Sequence, residues 1–147
     1  MTNDTGQMDL SSLICDNIDD VLVKIIQFTH IRHRVILENI KNCHAVGFVP
    51  RWVDVEDFAK VISAALSEHQ RTRRLVLCDS ESVSFMPNGR LSIKLKIDTA
   101  AGRLFEKDFD RYICLQQQRL NENTINNKTA CALLGHKLKV ARLAAQR

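Results

Sequence analysis

Helix breakers are scarce in this chain: two prolines and five glycines stand among 147 residues. With an apolar share of 45%, that scarcity favours long helices over the many short strands of a sandwich or barrel. Aromatics are also few, at 5%. No apolar run approaches the roughly 18 residues that a membrane span requires. Met1 to Asp9 are polar and mildly acidic, with neither a basic n-region nor an apolar h-region, so a cleaved secretory signal is not expected. The glycines are scattered singly at Gly6, Gly47, Gly89, Gly102 and Gly135, which leaves no Gly-rich phosphate loop.

The five cysteines (Cys15, Cys43, Cys78, Cys114, Cys131) are odd in number and contain no C-x-x-C pair. Their spacing suits neither a zinc site nor a disulfide framework, and buried or half-buried free thiols are expected. His30, His33 and His44 cluster in sequence, but no H-E-x-x-H or E-x-x-H pair accompanies them. Solvated or interfacial histidines are the simpler reading. No nucleophile elbow is present, and no strand–turn–helix on which to build one. The expectation is a non-enzyme with no cofactor, no metal and no small-molecule substrate.

What the chain does have is helical periodicity and uneven charge. Its net charge is +4. Residues 1–45 carry four Lys/Arg against six Asp/Glu, whereas residues 103–147 carry nine against four. From Leu10 to about His44, Ile14, Ile18, Val21, Ile25 and Phe28 alternate steps of four and three, and the register continues through Arg32, Val35, Asn39 and Asn42. That is a seven-residue repeat, as in a helix that supercoils with partners. Leu22, Ile26, Ile36 and Ile40 form a second row beside it, which makes the apolar surface wider than a dimeric seam needs. Arg32, Asn39 and Asn42 either fix register or mark where the helix leaves the core.

Gly47 can end this helix in a left-handed cap, and Pro50 bars its continuation. Asp54 reads as the N-cap of a shorter helix with Phe58, Val61, Ile62, Ala65, Leu66 and His69 on one face. Alternation around Pro87-Asn88-Gly89, from Val83 and Phe85 to Leu91, Ile93, Leu95 and Ile97, reads as a β-hairpin. A second long helix is expected from about Leu104 to the C-terminus. Its run from Asn121 to Asn127 is either a kink, a polar interface or a short break. The basic stretches 71–74 and 136–142 allow a nucleic-acid reading, but an amphipathic helix with a basic outer face explains the second without a ligand.

The fold class expected is mainly α: two long terminal helices in a coiled-coil-like hairpin, bracketing a short helix and a small β-hairpin. Residues 1–9 would be a flexible N-terminus and 10–147 a single domain, divided into an N-terminal helix (10–45), a middle segment (46–103) and a C-terminal helix (104–147).

One segment is specific. Residues 34–58 read RVILENIKNCHAVGFVPRWVDVEDF. This resembles the N-terminal motif of flagellar basal-body rod proteins, most closely the proximal rod subunit, in which a helix ends in N-I-A-N-x-x-T-P-G-Y/F before an acidic-aromatic D-x-D-F-like step. Asn39, Ile40, Asn42, Gly47 and Phe48 fall on the first part of that motif, and Asp57 and Phe58 on the second. Lys41 stands where the family has a small residue, and Ala45-Val46 where it has Thr-Pro. The resemblance implies a structural subunit that self-associates and meets other rod proteins and export-base components through its terminal helices. It also implies passage through the flagellar type III export apparatus to the periplasmic rod. The other reading is a helical adaptor or nucleic-acid-binding regulator with a basic C-terminal helix.

Overall fold

The computed structural model describes residues 5–146, with side chains from Ile18 onward. It is mainly helical: α1 (Thr5–Lys41), α2 (Val55–Thr72), α3 (Thr99–Lys107) and α4 (Phe109–Ala145). Four short strands lie between α1 and α3: β1 (Arg51–Trp52), β2 (Val83–Phe85), β3 (Leu91–Ile93) and β4 (Lys96–Ile97). Of the flexible stretch expected over residues 1–9, residues 1–4 lie outside the described residues, and residues 5–9 are instead the start of α1. Among the described residues, no helix is long and apolar enough to cross a membrane.

α1 and α4 share the most extensive contact in the molecule. They run in opposite directions, because partners that advance along one helix retreat along the other. Asn39 meets Tyr112 and Gln116, Arg32 meets Glu122, and Thr29 meets Asn123 and Asn127. The main apolar cluster forms where Val21, Phe28 and Val35 of α1 meet Phe58 and Ile62 of α2 and Val83 and Leu91 of the hairpin. Phe28 and Phe58 stack face to face with ring centroids 4.1 Å apart.

The middle of the chain folds as its turn chemistry dictates. β2 and β3 pair antiparallel, Val83 opposite Ile93, around a turn in which Gly89 takes φ +78°. Lys24, buried on α1, reaches the Gly89 carbonyl through Nζ and so pins the turn to the helix. Asp54 caps α2 by accepting the Asp57 N–H at 3.0 Å, and Lys96 donates to its other oxygen at 2.9 Å. Both bonds favour the carboxylate and hold its pKa below the ordinary value, the backbone N–H more than the lysine.

Several expectations need correction. The C-terminal helix is not continuous from Leu104. It is broken at Asp108, whose extended backbone (φ −151°) lets its side chain accept the Arg111 N–H and start α4 afresh. Of the readings open for the run from Asn121 to Asn127, the polar interface holds: it is unbroken helix, and Asn123 and Asn127 bond Thr29 on α1. Ile97 does not extend the hairpin; β4 pairs with β1, Arg51 opposite Ile97. Cys43 is buried, but Cys78, Cys114 and Cys131 are exposed, contrary to the expected covered thiols; the Cys15 side chain lies outside the described residues. The heptad row on α1 is also covered differently from what its period suggested. Val21, Phe28, Arg32, Val35 and Asn39 are buried within the chain's own fold, while Asn42 is exposed.

Candidate assembly surfaces

The seven motif residues divide into an interior set and a loop. Asn39, only 3% exposed, sits on the last turns of α1 beside the returning chain. Its Nδ2 donates to the Arg51 carbonyl at 2.7 Å, and its Oδ1 accepts the Arg51 N–H at 3.1 Å. The side-chain amide thereby pairs with a backbone peptide as a neighbouring strand would. The same Nδ2 lies 3.4 Å from Gln116 Oε1 on α4, and the Asn39 carbonyl accepts the Tyr112 hydroxyl at 2.7 Å. One residue thus ties the end of α1 to β1 and to α4. Burial of Tyr112 pushes its pKa up to about 12.

Phe58 is the buried partner of Phe28 described above. Asp57, on the first turn of α2, accepts the Ser80 hydroxyl at 2.7 Å, the Ser82 N–H at 3.1 Å and the Ser82 hydroxyl. These bonds lower its pKa, the Ser82 hydroxyl most, and fasten the turn before β2 onto α2. The acidic-aromatic pair therefore works inside the fold. Ile40 is half-buried.

Asn42, Gly47 and Phe48 belong to the loop after α1. Asn42 is exposed and its carbonyl accepts the Ala45 N–H at 3.0 Å. Gly47 takes the left-handed φ of +74° with open space around it, but it is not the helix cap that was expected, because α1 ends six residues earlier at Lys41. Phe48 turns inward onto Phe105 of α3, edge to face, in a second small cluster with Cys43, Ala101 and Tyr112. Val46 and Val49 are left in solvent, Val46 fully. Val46 thus places an apolar side chain on the tip of the loop.

A second exposed apolar surface lies at the far end of α4. Leu133, Val140 and Leu143 are each about half exposed on one side of the helix, Ile125 is exposed on that side nearer the middle, and Leu138 is half exposed on the opposite side. Lys139 and Arg142 are exposed among them. At about 1.5 Å per residue, the 37 residues of α4 span about 55 Å. The loop packs at the start of α4, where His44 lies against Phe109, so the two apolar surfaces stand at opposite ends of the molecule.

Between them, α1, α2 and α4 enclose an open groove of about 420 Å³. Leu22, Ile25 and Phe28 line one wall, Phe58 and Ile62 another, and Ala130 and Leu133 the third. Its wall on α4 also carries Asn123, 2% exposed, whose Nδ2 donates to the Thr29 carbonyl at 2.8 Å. Asn123 Oδ1 is buried and has no hydrogen-bond partner among the described residues. Sequence reasoning missed this groove. Its only signal was the asparagine run, which could be read equally as a break.

The histidines do not gather: His30 and His33 are exposed, and among the described residues no group of three His, Cys, Asp or Glu is placed to hold a metal. Comparison with protein-family models, with curated proteins and with solved structures gives no match for this chain.

Proposed function

We propose that this chain is a structural subunit of the bacterial flagellar basal-body rod, akin to the proximal subunit, and that its two long helices act as a coiled-coil-like hairpin in assembly. The observation that carries this reading is the pair of exposed apolar surfaces at opposite ends: the loop with Val46 and Val49, and one side of the end of α4 with Leu133, Val140 and Leu143. Apolar side chains concentrated in this way call for a protein partner. Two different surfaces, one at each end, suit heterologous contacts, which build a helical tube when the rotation does not close. The motif supports the same reading, because Asn39 and Phe48 hold the loop in a fixed position from within.

On this reading the partners are further copies, other rod proteins and components of the export base. The chain would reach the periplasmic rod through the flagellar type III apparatus without a cleaved signal peptide. Deleting the gene is expected to stop flagellar assembly beyond the earliest basal structure, seen as non-swimming cells without filaments in electron micrographs. Intact filaments in the deletion strain would refute the proposal. A nucleic-acid-binding adaptor is the second reading, favoured by the exposed Lys139 and Arg142 on α4. A salt-dependent gel shift with duplex DNA would support it, since phosphate contacts weaken steeply with salt.

A further inference from the structure

The chain leaves α2 after Thr72 and comes back to the first turn of the same helix, where the Asp57 carboxylate accepts the Ser80 hydroxyl at 2.7 Å. Between Asp57 and Thr72 the helix rises about 22 Å. The eight residues from Thr72 to Ser80 reach roughly 26–29 Å at most, so the returning stretch uses most of its reach and is close to fully extended. Its side chains alternate accordingly. Leu75 and Leu77 pack on the main apolar cluster, while Val76, 47% exposed, and Cys78 face outward. Yet among the described residues no backbone N–H or carbonyl of residues 75–79 bonds another backbone group. Residues 75–78 hold neither a proline nor a charge, the devices that blunt an open edge, so this stretch is a template for a further strand.

The order of side chains along the stretch selects its partner. Arg73 and Arg74 stand at the start and Asp79 at the end, all exposed. Laid antiparallel on a second copy about Val76, the stretch sets Leu75 opposite Leu77 on the covered face and Val76 opposite Val76 on the outer face. Arg73 then comes level with Asp79 at both ends, and opposite charges placed so are favourable. Asp79 keeps one oxygen for this pair, since the other accepts the Phe85 N–H at 2.9 Å. Moving the centre to Leu75 or Leu77 sets a leucine against Arg73 or Asp79, and a slip of one residue sets outward side chains against covered ones. We propose that residues 75–79 pair antiparallel with the same residues of a second copy, centred on Val76. Such a contact is isologous and closes at two copies. It is therefore separate from the repeating contacts of the rod reading and does not rest on them.

Sedimentation velocity and disulfide trapping on the full chain test it. Wild type is expected to form dimers as its concentration rises. Val76→Lys sets two ammonium groups against each other across the pair and is expected to weaken association roughly tenfold or more. Val76→Thr keeps a strand-forming side chain at this exposed position and is expected to associate within about threefold of wild type. The register is read by Val76→Cys combined with Cys78→Ser. Directly opposite residues of an antiparallel pair stand about 4.5–5.5 Å apart at Cα, which is within disulfide reach. Oxidation with diamide is therefore expected to trap a covalent dimer on non-reducing gels, well above the background that Cys78→Ser alone gives through the exposed Cys114 and Cys131. A wild type that stays monomeric, association unchanged in Val76→Lys, or no more trapping in the double variant than in Cys78→Ser would overturn the proposal. Association that survives Val76→Lys would belong to the Val46 loop or the end of α4 instead.

Discussion

Asn39→Ala removes the one side chain that holds α1, β1 and α4 together, and its cost can be built from the bonds it makes. Two hydrogen bonds to the Arg51 peptide, at 2.7 and 3.1 Å, are lost. Arg51 is exposed, so water can reach its peptide again and each bond counts only its net value, about 1 kcal/mol. Gln116 Oε1, wholly buried, loses its donor and remains without one, for about 1 kcal/mol more. The expected total is about 3 kcal/mol, and in a chain of this size that lowers Tm by roughly 6–12 °C. Urea denaturation followed by far-UV circular dichroism measures it, with an unchanged slope showing that the unfolded state is not the cause. Gln116→Met is the control. Gln116 Nε2 is already buried without a partner, so an apolar side chain of similar shape is expected to fall within about 1 kcal/mol of wild type. A cost below about 0.5 kcal/mol for Asn39→Ala, or an equal cost for both variants, would refute the reasoning.

Phe58→Ala empties the face-to-face stack on Phe28 and is expected to cost about 3–5 kcal/mol by the same urea measurement. Tyr112 is the only tyrosine, so an ultraviolet titration reads its phenol alone. With its folded pKa raised to about 12 by burial, it contributes stability that is intact below the ordinary phenol pKa and is lost as the pH rises through the folded value. Phenolate absorbance is expected to appear only as the protein unfolds in alkali, and a reversible native titration near pH 10 would contradict that. For Asp57 the sign is opposite. Its lowered pKa gives stability that is present above the ordinary aspartate range and is lost as the pH falls through the folded value. Asp57→Asn is therefore expected to flatten the acid limb of stability and to speed hydrogen exchange at the Ser82 amide, while an unchanged exchange rate would count against the hydrogen bonds drawn there.

Features with strong local chemistry were readable in the residues. Asp54 caps α2 and Pro87-Asn88-Gly89 turns a hairpin, because each follows from what one or two residues permit, whereas Gly47 is left-handed without capping α1, which ends at Lys41. Most of the face of α2 was readable too: Phe58, Ile62, Ala65 and His69 are buried as their spacing suggested and Val61 is half-buried, but Leu66 is exposed. The break at Asp108 was hidden because an aspartate on a helical pattern looks like any solvated acid until its backbone is known to be extended. β1 and β4 are two residues each, too short to display a period. The role of the asparagine run depends on what faces it. Weak helix formers over 121–127 left a kink, a polar interface or a break open, and the interface is what forms: Asn123 and Asn127, four apart, both reach Thr29 on α1. The heptad row on α1 correctly marked a buried face. It could not tell whether the chain's own α2, hairpin and α4 or a sister chain would cover it, since both leave the same pattern. The exposed pair Val46 and Val49 and the end of α4 were visible only once the interior had claimed its share of apolar residues.

Two greasy rods laid side by side can settle at several offsets, one turn apart, with little to choose between them. Here the rungs from Thr29 to Asn123 and Asn127, and from Asn39 to Gln116 and Tyr112, sit far apart along the same two rods. Sliding by a turn would break contacts at both places at once, inside a dry interface where an unmatched amide is costly. The span from the loop tip at Val46 to the last leucine of α4 is therefore fixed by bonding rather than by how oily surfaces come to rest. Every copy of the chain therefore has the same length.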